Sequence, residues 1–424
     1  MASGGSFPAS AALLAHAQAL LGELLRFERP ADQSVSSYFR GHPNLGRRDR
    51  GFLAEAVYAV LRRRRTLESA AGSAAPRELL LAALLKTFGL SGRALDALLA
   101  DSEEALVRRI RGFRGDAAAP AVRAEMPDWL WERLASAHGE ELAMRIAQGL
   151  LDAAPLDLRV NLARLRREEA LSQLAARGIV GAPTPYSPAG IRVPGRPQIQ
   201  RDPLFEQGLI EVQDEGSQLL AYLLAARRGE MVGDFCAGAG GKSLALAMLM
   251  RGTGRVYAID VSTKRLAALG PRAARAAVSN IHTLAVSTEN DVRVKRLAGK
   301  LDRVLVDAPC SGFGTLRRNP DLKWRYGPER IAALAEQQFR ILDAASRLVR
   351  PGGRLVYATC SLLAEENEAV AARFAATHTA FSPRHCGQLL AEQRIPLAIG
   401  EQLRLWPHEH GTDAFFAAAF ERRD

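Results

Sequence analysis

Two thiols stand just beyond runs of strand-forming residues. Cys310 follows Val304-Leu-Val-Asp-Ala-Pro, and Cys360 follows Gly353-Arg-Leu-Val-Tyr-Ala-Thr. A free cysteine is ordinarily a small buried hydrophobe, and Cys236 and Cys386 are read that way. The turn positions of Cys310 and Cys360, beside Pro309 and Thr359, favour covalent chemistry instead. A third stretch, Asp234-Phe-Cys-Ala-Gly-Ala-Gly-Gly-Lys-Ser243, enters a glycine-rich turn. A P-loop would need Gly at position 236, which is Cys, and a G-x-G-x-x-G fingerprint would need Gly at 243, which is Ser. The shorter turn that does fit lets backbone approach a ligand closely. Asp260 closes the strand-like run Val256-Tyr-Ala-Ile259, where a carboxylate can accept both ribose hydroxyls. Turn and carboxylate together point to an adenosine-containing cofactor. There is no C-x-x-C pair and no H-E-x-x-H spacing, so no metal site is expected.

Positioning these groups requires an open parallel sheet. From Glu230 onward, β-branched runs alternate with amphipathic helices, the pattern of an α/β domain of doubly wound, Rossmann-like type. Ligands of such sheets bind beyond the carboxyl ends of the strands. Cys236, Asp260, Asp307, Cys310 and Cys360 are therefore expected to share one cleft. An all-helical domain precedes it, with Leu13, Leu14, Leu20, Leu21, Leu24 and Leu25, then Phe52, Ala56, Val57, Val60 and Leu61, at helical spacing. Between the two, a small α+β module is expected, with a helix near Glu168 to Ala176. The domains are drawn at 1–118, 119–205 and 206–424.

The 424 residues carry 57 Lys+Arg against 46 Asp+Glu, a net charge of +11. This suits a polyanionic partner, although only six of the cations are Lys. The 48% hydrophobic content excludes a largely disordered chain. Eight Arg lie between Arg40 and Arg65, and Arg62, Arg63, Arg64 and Arg65 are the expected phosphate contacts. Arg317, Arg318, Lys323, Trp324 and Arg325 interleave cations with an aromatic, a pattern that can grip phosphates and stack a base. No apolar run is long enough to span a membrane, and Met1-Ala-Ser-Gly-Gly5 lacks the features of a secretory signal. A cytoplasmic monomer with reduced thiols is expected.

These motifs carry a resemblance. Asp234-Phe-Cys-Ala-Gly-Ala-Gly-Gly-Lys242, Asp307-Ala-Pro-Cys-Ser-Gly312, Tyr357-Ala-Thr-Cys-Ser361 with Glu366-Asn-Glu368, Gln213-Asp-Glu-Gly-Ser217 and Thr412-Asp-Ala-Phe-Phe416 resemble the Sun family of RNA cytosine carbon-5 methyltransferases. The helical region, through Leu45-Gly-Arg-Arg-Asp-Arg-Gly-Phe-Leu53, is similar to the NusB-like domain of the bacterial RsmB-like members that act on small-subunit ribosomal RNA. The chain departs from the pattern at Ala239, Ala364 and Ala414, where Pro, Pro and Gly are usual.

The resemblance implies S-adenosylmethionine as cofactor, held by Cys236, Ala237, Gly238, Ala239, Gly240, Gly241, Lys242, Asp260, Asp307 and a third-strand carboxylate. Glu289 is the nearest candidate for that carboxylate and Asp291 the next. It implies Cys360 as the nucleophile toward cytosine carbon 6, with Asp307 near ring nitrogen 3 and Cys310 serving elimination. Lys242 is a candidate source of the positive potential a thiolate needs. Transfer RNA is the alternative substrate. A noncatalytic assembly factor and a P-loop NTPase are the readings from other classes.

Overall fold

The computed structural model describes residues 10–90, 98–99, 101–195 and 197–424. The N-terminal pentapeptide therefore lies outside the described residues. Two compact units emerge, one made of Met1–Asp152 and Leu316–Gly327, the other of Ala153–Thr315 and Pro328–Asp424.

The first unit is helical among its described residues. Helix α1 (Ala11–Leu24) starts where the Ser10 side chain accepts from the Leu13 N–H, and it buries Leu14, Ala17, Leu20, Leu21 and Leu24. Helices α2 (Ala31–Gly41), α3 (Arg47–Ala71) and α4 (Pro76–Lys86) follow. The expected stripe Phe52, Ala56, Val57, Val60 and Leu61 is buried in α3. Helices continue at Asp128–His138 and Glu140–Gly149.

Helix α3 breaks at Arg63, whose φ of −115° and ψ of 29° are not helical. A break frees backbone groups that must find partners. Glu125, 1% exposed, accepts from the Arg65 and Thr66 N–H groups at 3.0 and 3.3 Å. On the carbonyl side, Lys323 Nζ donates to Arg62 O and Trp324 Nε1 to Leu61 O, both at 2.9 Å. The segment Leu316–Gly327 thus completes the helical unit, and its Asp321 also accepts from Ala31 N at the start of α2.

In the second unit, strands β1 (Leu156–Val160), β2 (Ala182–Pro183), β3 (Gly190–Val193) and β4 (Ile210–Val212) form an antiparallel sheet in the order β2-β3-β1-β4. Its helix, Arg167–Ala176, lies where the sequence predicts. The large sheet contains β5 (Met231–Phe235), β6 (Arg255–Asp260), β7 (Ile281–Ala285), β8 (Leu301–Asp307), β9 (Val349–Thr359), β10 (Phe381–Arg384), β11 (Leu403–Leu405) and β12 (Phe415–Arg422). The order is β10-β12-β9-β8-β5-β6-β7, with β11 against β12. The pairs from β7 to β9 are parallel, whereas β12 joins β9 antiparallel. The chain runs β5, β6, β7 in one direction, then returns to β8 on the other side of β5. That reversal opens a crevice beyond the ends of β5 and β8.

Candidate active site

The crevice is a cavity of about 330 Å³. Its lining includes Cys236, Asp260, Glu289, Asp307, Cys310 and Cys360, with Arg265 and Gln337. The five residues expected to converge do so, and Glu289 joins them. Asp291 instead accepts from the Ser287 and Arg293 N–H groups and the Arg293 guanidinium, capping the helix Val292–Lys295.

The glycine turn is shaped by close approach. Gly238 (φ 57°) and Gly240 (φ 79°) are left-handed. A Cβ at Gly238 would lie 2.1 Å from the Arg265 guanidinium, and one at Gly240 would lie 2.2 Å from Leu269. Cys236 shares this backbone region at φ 68°, a strained choice for a non-glycine residue. It is not the fully buried core residue the sequence suggests, because a turn aimed at a ligand carries its side chain to the cavity wall. Its thiol is pushed well up by burial and by the nearby carboxylates of Asp260, Asp307 and Asp234. Cys386 is a core residue as expected, 0% exposed.

Asp260 fastens the turn: Oδ2 accepts from Gly238 N at 2.7 Å and Oδ1 from Ser262 N at 2.8 Å. A carboxylate has about four acceptor directions, so each oxygen retains one for a ribose hydroxyl. Asp234, buried behind the turn, accepts from Ser243 Oγ at 2.6 Å. Burial, partly offset by that hydrogen bond, raises its carboxyl to about 7. The cradle of glycines and the spare acceptors of Asp260 fit an adenosine-bearing cofactor.

The two cavity thiols expected to react lie just beyond the ends of β8 and β9. Cys310 and Cys360 approach to 3.5 Å between sulfurs. Lys242 Nζ donates to Asp307 Oδ2 at 2.7 Å. Burial alone would lower the Lys242 amine, but Asp307, Asp234 and Cys360 hold it above its ordinary value. A charged ammonium therefore stands in the field of the Cys360 sulfur. Cys310 is raised well above the usual thiol range, first by its hydrogen bond with Cys360, then by burial and by the charges of Cys360 and Glu366. Gly314 N donates to Cys360 O at 2.8 Å, and a Cβ at Gly314 would strike Ala414 O. Ala414 is absent from the left-handed residues, so its methyl group replaces the usual Gly without strain.

The sequence profile of the 16S rRNA methyltransferase RsmB/F family matches residues 221–421, and that of its ferredoxin-like domain matches 126–200. A probable ribosomal RNA small subunit methyltransferase B of Synechocystis is 30% identical over 95% of this chain and 98% of its own length. The chain belongs to the RsmB/F family of ribosomal RNA methyltransferases. Its counterpart in Bacillus subtilis, also named as a probable methyltransferase B, is 34% identical over 72% of this chain and 68% of that protein. The crystal structure of a methyltransferase homologue from Pyrococcus horikoshii aligns with a TM-score of 0.61 at 29% identity, covering 72% of this chain and 97% of that one. The Rossmann-like fold is thereby established. The family's ferredoxin-like region contains the sheet β2-β3-β1 as well as the helices Asp128–His138 and Glu140–Gly149.

The basic stretches turn out differently from the cleft. Lys323 and Arg317 are 3% and 5% exposed, and the Trp324 indole N–H is already bonded to Leu61 O. Lys323 and Trp324 supply donors to the carbonyls freed at the break in α3, and the buried Arg317 accepts there through its own carbonyl, so Lys323 and Arg317 present no exposed cation to a phosphate. Arg62 donates to Arg317 O at 3.0 Å, Arg64 pairs with Glu68 at 2.6 Å, and Arg65 pairs with Asp128 at 2.7 Å. Arg325 faces Asp321 at 3.7 Å. Arg63 and Arg318 are exposed.

The residues that sequence reasoning missed are Arg265, Ser311, Gln338 and Ser361, along with the role of Glu366. Ser311, Ser361 and Glu366 lie inside the motifs Asp307–Gly312, Tyr357–Ser361 and Glu366–Glu368. Gln338 gave no signal, being one polar residue in the helix Pro328–Ser346.

Among the described residues, no cluster suited to a metal occurs, and no helix is long and apolar enough to cross a membrane.

Proposed function

We propose that this methyltransferase acts on carbon 5 of a cytosine in small-subunit ribosomal RNA, using S-adenosylmethionine and a covalent Cys360 adduct. The observation carrying this reading is the pair of sulfurs 3.5 Å apart in the cavity that also holds Asp260 and Glu289. When bound, the sulfonium cofactor supplies an electrophilic methyl group. Asp260 would hold its ribose, Glu289 its adenine side, and the backbone of 236–242 the remainder. A cytoplasmic site of action follows from that substrate.

Carbon 5 of cytosine is a weak nucleophile until a thiolate adds to carbon 6. Cys360 performs that addition, favoured by the Lys242 ammonium. Asp307 relays a proton from the Lys242 ammonium to ring nitrogen 3, offsetting the negative charge that develops there, and the proton returns on elimination. After methylation, carbon 5 still carries its proton. Cys310, having released its own proton to solvent, takes the carbon-5 proton. The C–H electrons restore the 5,6 double bond, and the carbon–sulfur pair returns to Cys360. The base must be unpaired or flipped out to reach the thiols, and the exposed Arg63 and Arg318 would contact phosphate.

The test uses the two single cysteine variants. Cys360→Ala should abolish methylation and leave cofactor binding intact. Cys310→Ala should accumulate a protein–RNA adduct that survives denaturing electrophoresis and is absent when Cys360 is also replaced. The reverse pattern would exchange the roles. Normal turnover in both variants would end the covalent mechanism. Mapping 5-methylcytosine in ribosomal and transfer RNA, with and without the gene, identifies the substrate.

A further inference from the structure

Glu366 is 0% exposed and binds both cysteine loops. Its Oε1 accepts from the Ser311 N–H at 2.8 Å and from Gln338 Nε2 at 2.9 Å. Its Oε2 accepts from the Ser361 hydroxyl. Ser311 follows Cys310 and Ser361 follows Cys360, and the two serine hydroxyls meet at 3.1 Å. The same Gln338 amide reaches Pro309 O at 3.0 Å, on the other side of Cys310. Tyr357 donates to Gln338 Oε1 at 3.2 Å and also to Glu366 O. The end of β9, the Cys310 loop and the helix Pro328–Ser346 are thus joined through one carboxyl group.

A neutral amide of the same shape could join two loops. Burying a carboxylate costs far more than burying a neutral group. All three donors to Glu366 are uncharged groups, so they satisfy its lone pairs without neutralising it. The charge itself therefore calls for an explanation, and the cysteine next to it supplies one. A negative charge near a thiol makes that thiol hold its proton more tightly. Glu366 adds to the elevation of Cys310, whereas Cys360 interacts with Lys242.

We propose that Glu366 is a positioning residue that sets the two thiols in register and assigns the shared proton to Cys310. Cys360 is thereby left free to attack, and Cys310, once it has given its own proton to solvent, is the more basic sulfur when the carbon-5 proton must be removed. The assignment rests on Cys360 and Cys310 having the roles proposed above.

The experiment compares full-length wild type, Glu366→Gln and Gln338→Met. It measures turnover, adduct lifetime, and the pH profile of iodoacetamide alkylation at each cysteine by mass spectrometry. Glu366→Gln should lower kcat on the order of tenfold or more and accumulate the adduct. It should move the Cys310 alkylation midpoint down by about one pH unit, leaving the KM for cofactor within about twofold. Gln338→Met keeps the charge and loosens the loop, so it should prolong the adduct without moving the midpoint. Wild-type kcat and an unshifted Cys310 profile in Glu366→Gln would overturn the proposal. Should Glu366→Gln fail to fold, an unchanged adduct lifetime in Gln338→Met would overturn it. Turnover by Cys360→Ala, run in parallel, would instead overturn the reading beneath it.

Discussion

Glu366 and Glu125 are both buried, and each binds stretches far apart in the chain, yet their electrostatic settings are opposite. Glu366 meets only neutral donors. Glu125 accepts two backbone N–H groups at the α3 break and also faces the Lys323 amine and Arg63. Burial raises the Glu125 carboxyl and lowers the Lys323 amine to about 7, each moderated by the other. In the helical unit, opposite charges are placed together, and the result is a brace for a broken helix. In the cleft, a charge is left uncompensated, and its field falls on a thiol. The difference shows that burial of a carboxylate does not by itself mark a reacting site; the company it keeps decides.

The largest effect that could break this contrast is on stability. Glu125→Ala leaves two backbone donors without their acceptor and removes the charge that faces the buried Lys323 amine, and should cost about 3–5 kcal/mol in denaturant unfolding. Glu366→Gln should cost much less and act on turnover. Equal losses of stability would erase the distinction.

Next in size, Asp260→Ala should weaken S-adenosylmethionine binding by roughly tenfold to a hundredfold, from two lost acceptors at about 1 kcal/mol each or more. RNA affinity should hold. Calorimetry with cofactor and a filter assay with RNA separate the two, and parallel losses would count against a cofactor role.

A smaller test is the pH dependence of stability. Asp234 is raised to about 7 in the fold by burial, so the native state holds more protons than the unfolded chain between about pH 4 and 7. Stability should fall as pH rises through that window. Lys323 is lowered to about 7 by burial, so the native state holds fewer protons between about pH 7 and 10. There stability should rise with pH. Urea unfolding across both windows, with Asp234→Asn and Lys323→Met each flattening its own, checks the signs.

The smallest effects concern RNA. Arg63→Glu and Arg318→Glu should each reduce the log–log salt slope of RNA binding by about one unit. Lys323→Met should leave it unchanged, since a 3% exposed amine cannot reach a phosphate.

The same contrast explains what the sequence disclosed. Strand β6 ending at Asp260, β8 at Asp307 and β9 before Cys360 were legible, because short β-branched runs and the topology rule for parallel sheets depend on local residues. The helical stripes of α1 and α3 were legible for the same reason. The fate of Lys323 and Trp324 was not. A cation beside an aromatic looks alike in solvent and in a helix break, and the break at Arg63 is braced by Glu125, Lys323 and Trp324, all remote from it in sequence. Gln338 was hidden likewise, since its meaning comes from Pro309 O and Glu366. Of the cleft, the residues that line it could be read from the sequence, while the bonds that hold them in place could not.

The segment Leu316–Gly327 has a consequence in time. Synthesis runs from the N-terminus at about 5–20 residues per second. After residue 152 emerges, another 164 residues (316 minus 152) must be made before Leu316 appears. For roughly 8–33 seconds at that rate, the helices have Glu125 but lack Lys323 and Trp324 for the carbonyls of Leu61 and Arg62. During that interval α3 can remain unbroken, with these carbonyls bonded within the helix. The bend would then be imposed late, after the Cys310 loop has left the ribosome.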